Sequence, residues 1–327
     1  MLRDATGYKN RTITMSNYRL KPNPLITLLD ELGIIKEKDF SFFHKGTRDV
    51  KDINVLIDNV SGALILDKCV TNLQEYYIQN TIYAENSQQT LIDTALIAMT
   101  PLEDDVRRFK LFAHMLKGKK ILDFGCGKGG FLRIIKNNKI SENLFGLELN
   151  AVNRSNLNKL GIECSEGLSD NYYDFDFTFL NHVFEHLENP ISILKELLNR
   201  LKKDGNLIIE IPHGNDFLIK DANIESFKNF TFWSEHLCLY TKNVIERIIK
   251  LLQIENYSIS FYQRYGINNH FYWFKENKPG GHEKCKLFNS QIDTSYRQFL
   301  VETEKTDTMY IFIGPMKEEL SKVLRSS

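Results

Sequence analysis

The sequence has no long apolar run. Nowhere do about eighteen apolar residues follow one another, so no membrane-spanning segment is predicted. The first twenty residues, Met1 to Leu20, alternate polar and charged residues without the apolar centre of a signal peptide, and they do not resemble a transit peptide. We therefore expect a cytoplasmic protein.

The sequence also has no excess of charge of either sign. Its 42 basic and 42 acidic side chains balance to a net charge of +0. Proteins that bind nucleic acid through their overall charge carry a basic excess, which is missing here. We expect a small-molecule substrate, no nucleic-acid partner and no membrane span.

Cysteine is scarce, and no two cysteines stand in a C-x-x-C pair. An odd and scattered set does not predict a disulfide framework, and it lacks the spacing of a zinc site. No metal is therefore predicted. The five cysteines are Cys69, Cys126, Cys164, Cys238 and Cys285.

What is present is the composition of an ordinary globular protein. Hydrophobic residues make up 42% and charged residues 26% of 327 residues, a length that suits about two domains. Residues 53–66 alternate around a turn at 58–62, which predicts a hairpin in a small N-terminal α+β accessory lobe over residues 1–100. Residues 91–116 are predicted to be helical, with Pro101 as a helix start after Thr100, and to lead into the remaining domain, residues 101–327.

From residue 119 onward, short apolar runs alternate with helical patterns. The run KILDFGC at 120–126 predicts a strand and a glycine turn, and residues 130–138 predict a helix. This alternation predicts a doubly wound, Rossmann-like α/β fold with a parallel sheet. Substrate-shaping insertions are predicted at 214–240 and 265–305. The other predicted strands are 144–149, 162–165, 175–180, 206–211, 257–265 and 309–313, and the other helices are 153–160, 190–201, 241–252 and 290–302.

The strongest local pattern is the glycine turn DFGCGKGG at 123–130. Glycines between a strand and a helix let a ligand approach the backbone at the helix N-terminus. The same letters fit the dinucleotide fingerprint, so an NAD(P)-dependent oxidoreductase is one interpretation. Asp123 favours a different ligand, one with an ammonium group, because its carboxylate would attract that group and would repel a pyrophosphate. Glu148, at the end of the next predicted strand, fits both interpretations as a partner for ribose hydroxyls.

Four segments carry a specific resemblance: ILDFGCGKGGFL at 121–132, FGLELN at 145–150, FDFTFLNHVFEHLENP at 175–190 and LKKDGNLIIEIPH at 201–213. In order and spacing they resemble the class I S-adenosylmethionine-dependent methyltransferases. The resemblance implies S-adenosyl-L-methionine as cofactor, with its methionine end at the glycine turn, its ribose at Glu148 and its adenine near 166–168 and Asn181. The cofactor-binding residues implied by the resemblance are Asp123, Phe124, Gly125, Cys126, Gly127, Glu148, Leu149, Glu166, Gly167, Asn181 and His182.

The segment FTFWSEHLCLYT at 230–241 follows the predicted strand at 206–211. Its E-H-L-x-x-Y-T pattern resembles the C-methyltransferases of deoxysugar and bacterial polysaccharide pathways, in which the histidine acts as base beside a carbonyl. The resemblance implies His236 as general base with Glu235 beside it, at a pKa of about 6.5 if unperturbed. The cysteine-rich zinc module of those enzymes has no counterpart here, so carbon, oxygen and nitrogen all stay open as the acceptor atom.

Other residues are candidates for contact with the substrate. His213 ends a core strand, where ligands bind in open α/β sheets. The stretches 264–273 and 278–282 combine aromatic, amide and glycine residues that suit sugar or phosphate groups, although both are also typical of surface loops. Arg107 and Arg108 are read as a solvated basic face, with a contact to the cofactor carboxylate as the alternative.

The sequence thus predicts methyl transfer to a small acceptor, a sugar or nucleotide-linked sugar of surface-polysaccharide or secondary metabolism. A homodimer is one arrangement compatible with it. Two other functions stay open: an NAD(P)-dependent oxidoreductase, and a cofactor-binding subunit without catalytic activity.

Overall fold

The computed structural model describes residues 19–71, 102–169 and 172–325. The first part of the helix predicted over 91–116 therefore lies outside the described residues. No helix among the described residues is both long and apolar enough to cross a membrane.

The central sheet has seven strands, in the order β12-β13-β10-β9-β6-β7-β8. Strands β6 to β10 run parallel where they pair, and β13 pairs antiparallel with both β10 and β12. Numbered in chain order, the strands are β1 Leu20–Pro22, β2 Phe40–His44, β3 Val55–Asp58, β4 Leu64–Leu66, β5 Lys68–Val70, β6 Ile121–Phe124, β7 Leu144–Leu147, β8 Glu163–Ser165, β9 Phe175–Asn181, β10 Leu201–Pro212, β11 Cys238–Leu239, β12 Tyr257–Tyr262 and β13 Thr308–Ile313.

Helices connect these strands and cover both faces of the sheet. They are α1 Pro24–Glu31, α2 Glu103–Phe112, α3 Gly130–Asn137, α4 Ala151–Lys159, α5 Pro190–Asn199, α6 Phe217–Lys220, α7 Glu225–Thr231, α8 Lys242–Leu251, α9 Ile267–Glu276, α10 Gly281–Lys284, α11 Ser290–Glu302 and α12 Lys317–Arg325.

The core lies in two apolar layers, one on each face of the sheet. Successive residues of a strand point to opposite faces, so Ile121 packs in the layer of α2, α3 and α12, whereas Leu122 packs in the layer of α5 and α8. Because both faces are buried, the strands are almost continuously apolar. The predicted doubly wound α/β fold is confirmed.

The strand order reverses between β6 and β9. The chain moves from β6 to β7 and β8 on one side, then returns to β9 and β10 on the other. In open α/β sheets, the crevice outside the carboxyl ends of the strands at such a reversal is where ligands bind. The glycine turn after β6 and the residues after β9 both lie there.

A second sheet of four strands has the order β11-β4-β3-β2. The hairpin predicted at 53–66 is present as β3 and β4, and the Asp58 carboxylate accepts the Ser61 N–H of the turn at 2.9 Å. Strand β11 comes from the segment after β10 and completes this sheet beside β4. Residues 40–66 are thus attached directly to the segment that carries Glu235 and His236.

Three predicted boundaries are wrong. The stretch 264–273, expected as a loop, forms helix α9 after Gly266. Helix α5 ends at Asn199 instead of Leu201, because β10 begins at Leu201 and runs for twelve residues. Strand β12 ends at Tyr262, since the next residues turn to bond with Asp307.

Candidate functional site

The glycine turn forms a cradle at the carboxyl end of β6. Gly125, Gly127 and Gly129 have φ values of +74°, +56° and +67°, a region that side chains disfavour. A Cβ at Gly125 would lie 2.6 Å from Val183, whereas a Cβ at Gly127 would meet no atom within 4 Å. The open space beside Gly127 is where a ligand can approach the backbone at the start of α3.

Asp123 lies beneath this cradle and is almost completely buried. Burial raises the pKa of its carboxyl group to about 7, more than the nearby Arg108 lowers it. The Asn181 amide donates to Asp123 at 3.0 Å, so Asn181, expected on the adenine side, lies beside the residue expected at the methionine end. The Asn181 side-chain oxygen is buried and has no hydrogen-bond partner among the described residues. This arrangement leaves a carboxylate and an amide oxygen that suit a cationic ligand group.

Arg154 joins the ends of β7 and β8. Its guanidinium donates to the Glu148 carbonyl at 2.8 Å and to the Glu166 carboxylate at 2.9 Å. The Glu148 carboxylate accepts the Asn150 N–H at 2.7 Å. The predicted ribose and adenine residues are thereby brought together, and Arg154, which we did not predict, holds them.

The other predicted cofactor residues border the same crevice. Phe124 and Cys126 are half-buried at the end of β6, and the Cys126 sulfur lies 3.9 Å from the Cys164 sulfur. Leu149 is 47% exposed, and a Cβ at Gly167 would meet no atom within 4 Å. An exposed apolar side chain beside open space suits the flat face of an adenine ring.

His182 directly follows β9 and has a φ of +56°. Its Nδ1 lies 3.2 Å from Glu185 and its Nε2 lies 3.1 Å from Glu210. Burial alone would lower the pKa of His182, but the hydrogen bonds to these two carboxylates raise it. His182 thus links the glycine cradle to a buried group of charges.

The centre of that group is Glu210, which is completely buried in β10. Arg107 and Arg108 both donate to it, at 2.5 and 2.8 Å, and the Tyr310 hydroxyl donates at 2.7 Å. Burial would raise the pKa of Glu210, but the two guanidiniums hold it well below its usual range. The interpretation of Arg107 and Arg108 as a solvated basic face is wrong, because both face inward from α2 onto this carboxylate.

His236, the predicted general base, and Glu235 lie in a cluster with a second Glu-His pair, Glu185 and His186. The His236 ring packs edge-on against His186, with centroids 4.9 Å apart, and His186 Nδ1 lies 3.9 Å from the Glu235 carboxylate. Burial, followed by the charge of His186, lowers the pKa of His236 to about 3. This pKa lies well below the value of about 6.5 for an unperturbed histidine. His236 is a neutral imidazole at physiological pH and a weak proton acceptor.

A cavity of about 190 Å³ opens beside the carboxyl end of β10. The two stretches predicted for substrate contact meet there, since 264–273 and 278–282 both contribute to its wall. Arg264 lies in the wall and also reaches to 3.3 Å from His182 Nε2, which connects the cavity with the cradle. Its lining includes Pro212, His213, Asp216, Phe227, Phe230, Arg264, Tyr265, Asn269, Trp273, His282 and Asp307.

His213 lines this cavity, whereas Glu235 and His236 are not among its lining residues. It is buried, its Nδ1 lies 3.3 Å from the Thr306 carbonyl, and burial lowers its pKa to about 4. Burial raises the pKa of Asp216, another wall residue, to about 7. The three predicted catalytic residues thus divide into two places, the cavity and the histidine cluster.

Comparison with known proteins identifies the kind of domain. Residues 100–259 match the family described as "Methyltransferase domain". This match covers just under half of the chain. This match, together with the fold, confirms the predicted enzyme class, an S-adenosylmethionine-dependent methyltransferase, and its cofactor, S-adenosylmethionine.

Relatives of the methyltransferase domain differ in their named activities. The chain is 29% identical over 169 residues to the uncharacterized protein MJ1123 of Methanocaldococcus jannaschii, over 52% of this chain and 78% of that protein. It is 33% identical over 148 residues to a tRNA U34 carboxymethyltransferase of Haemophilus influenzae, over 39% of this chain and 45% of that enzyme. The chain therefore spans less than half of the tRNA enzyme that it matches.

Among solved structures, the methyltransferase domain is similar to a SAM-dependent methyltransferase from Archaeoglobus fulgidus. The TM-score is 0.42 at 16% identity, over 64% of this chain and 92% of that one.

Proposed function

We propose that the protein transfers the methyl group of S-adenosylmethionine to a small acceptor, a sugar or nucleotide-linked sugar, bound in the cavity beside β10. The observation that carries this proposal is the cavity itself. It lies at the same sheet edge as the glycine cradle, and Arg264 borders it while reaching His182 after β9. Sugars are bound by aromatic rings that pack on the sugar ring and by carboxylate and amide groups that hydrogen-bond its hydroxyls.

In this proposal the cradle holds the cofactor. Asp123 receives the ammonium group, the backbone around Gly127 accommodates the methionine portion, and Glu148 accepts a ribose hydroxyl. Leu149 and Gly167 lie on the adenine side. The residues fit the group because the Asn181 side-chain oxygen, which has no partner among the described residues, lies beside the Asp123 carboxylate, and Gly127 leaves the space that a side chain would fill.

When bound, the cofactor supplies an electrophilic methyl group on a sulfonium. Transfer is an in-line displacement, so the protein's contribution is to align the acceptor and to exclude water. Two aromatic side chains of the cavity lining can exclude water. Trp273 is buried between Phe227 and Phe230. Tyr265 packs on His282, with ring centroids 5.3 Å apart. We assign His213 to acceptor contact, since it lies in the same wall.

The proposal is tested by mass spectrometry of the product. The purified chain is incubated with S-adenosylmethionine and a panel of nucleotide-linked sugars, and a mass gain of one methyl on one of them is the expected result. Calorimetry with S-adenosylhomocysteine and with NAD(H) is the companion measurement. Binding of NAD(H) alone, or a bound cofactor with no methylated sugar in the panel, would contradict the proposal.

The side chain of His282 provides a prediction for the acceptor. The His282 ring lines the cavity, and its Nδ1 makes no hydrogen bond among the described residues, so a turn of the ring would present an unpartnered nitrogen to an acceptor. His282→Ala is expected to raise the acceptor KM about tenfold, the effect of one lost hydrogen bond. Cofactor affinity should stay unchanged. His114→Ala, at an exposed position outside the cavity, is the control, and equal KM values in both variants would remove His282 from the acceptor site.

The buried carboxyl of Asp123 provides a prediction for pH. With a pKa of about 7 it is largely protonated in acid, and only the ionised form attracts an ammonium group. The affinity for S-adenosylhomocysteine should therefore fall about tenfold per unit as the pH drops below 7, and level off above it. Calorimetry at a series of pH values measures this. Asp123→Asn should bind more weakly and lose the slope; a variant that keeps the parental slope would assign the titration to another group.

A further inference from the structure

The tripeptide Glu-His-Leu occurs twice, at 185–187 and at 235–237. The first follows β9 and the second lies between β10 and β11. Since the carboxyl ends of neighbouring parallel strands meet at one edge of a sheet, the two can come together. They do: one oxygen or nitrogen atom from each of Glu185, His186 and His236 lies within 4.8 Å of the other two.

The Glu185 carboxylate in this group lacks part of its hydrogen-bonding partners. Glu185 has no exposed surface, and one oxygen lies 3.2 Å from His182. Its other oxygen, Oε2, is buried and accepts no hydrogen bond from the described residues. Buried carboxylate oxygens without a partner are rare in folded proteins, and an ion is one of the standard explanations.

The orientation of His186 also suits a metal ligand. Its Nε2 lies 3.9 Å from Glu185, whereas its Nδ1 lies 3.9 Å from the Glu235 carboxylate on the opposite side of the ring. Histidines that bind metals through one nitrogen usually direct the other toward a carboxylate, which orients the ring. Glu235 lies on that side of His186, but His186 Nδ1 makes no hydrogen bond among the described residues, so metal binding must draw the two groups together.

We propose that Glu185, His186 and His236 form a binding site for one divalent transition-metal ion, with Glu235 as the positioning residue of His186. Two imidazoles and one carboxylate are a donor set used for zinc and for non-haem iron. The site requires no cysteine, which is why the cysteine pattern could not indicate it. It is also independent of the acceptor proposed above.

Binding requires only small side-chain movements. Metal–ligand bonds of about 2.1 Å place neighbouring ligand atoms about 3–3.5 Å apart. His186 Nε2 lies 3.9 Å from Glu185 Oε1, the oxygen that also faces His182, and the three donors lie within 4.8 Å of one another, so they must approach by roughly an ångström or more. Rotations of the imidazole rings supply movements of this size without displacing a strand.

The experiment is a titration of the full chain with Co²⁺ after dialysis against a chelator, without cofactor or acceptor. One bound ion per chain with visible ligand-field absorption is expected. His186→Ala and His236→Ala should each weaken binding roughly 100-fold, and Glu235→Gln roughly tenfold. His114→Ala, which removes an exposed imidazole outside the cluster, should bind like the parent.

Circular dichroism establishes that each variant is folded, and His236→Phe, which keeps a ring against His186, replaces the alanine variant if that one unfolds. Three results would overturn the site: no stoichiometric ion, equal affinity in the parent and the His236 variants, or an intense thiolate charge-transfer band. The last would place the ion at Cys126 and Cys164. Because methylation is not measured, failure here is distinct from failure of the proposed function.

Discussion

Gly127→Val is expected to abolish detectable S-adenosylhomocysteine binding while the chain stays folded. The valine side chain would enter the open space beside Gly127, where no protein atom lies within 4 Å of a Cβ, and would occupy the position assigned to the cofactor. Affinity measured by calorimetry should fall roughly 100-fold or more. The positive φ adds backbone strain of about 1–2 kcal/mol, which a domain of this size tolerates.

Gly118→Val separates strain from collision. Gly118 has a φ of +70° and also no atom within 4 Å of a Cβ, but it precedes β6 at the opposite end from the cradle. The two substitutions carry the same backbone cost, so Gly118→Val should bind the cofactor product like the parent. If Gly127→Val also bound within a few-fold of the parent, the cradle would not be the cofactor site.

Glu210→Gln is expected to lower the free energy of unfolding by roughly 3–5 kcal/mol, because the amide leaves Arg107 and Arg108 buried without their shared counter-charge. Urea unfolding followed by circular dichroism measures this. Glu142→Gln is the control, since Glu142 is exposed and its ion pair with Lys136 is worth about 0–1 kcal/mol. A loss for Glu210→Gln as small as that of the control would mean that other groups neutralise the two arginines.

The elements that depend on a short stretch of sequence could be predicted from it. Strand β6, the glycine turn and α3 follow one another within seventeen residues, and each is specified by its own apolar period or by glycine at positive φ. The hairpin around Asp58 is local in the same way. Helix α9 was missed because Gly266 and two asparagines resemble a loop, whereas packing of Trp273 against Phe227 and Phe230 stabilises the helix.

The parts of the site that depend on distant pairings could not be predicted. No residue near Arg107 in the sequence indicates that its guanidinium donates to Glu210, which lies 103 positions away in β10. The lowered pKa of His236 could not be predicted for the same reason, since burial and the neighbouring His186 are properties of the folded chain. The repeated Glu-His-Leu tripeptide was the available signal, and only the strand order reveals that its two copies meet.

Strand β11 links the position of the histidine cluster to contacts between residues that are far apart in the sequence. The segment with Glu235 and His236 is held at one end by Asp49, which accepts the Ser234 N–H across 185 positions of sequence, and at the other by pairing of Cys238 with Ile65. Such remote contacts form slowly, because a long loop must close before they are made. Since β11 pairs with β4 in the completed sheet, we expect the histidine cluster to form after the β2–β4 strands have paired.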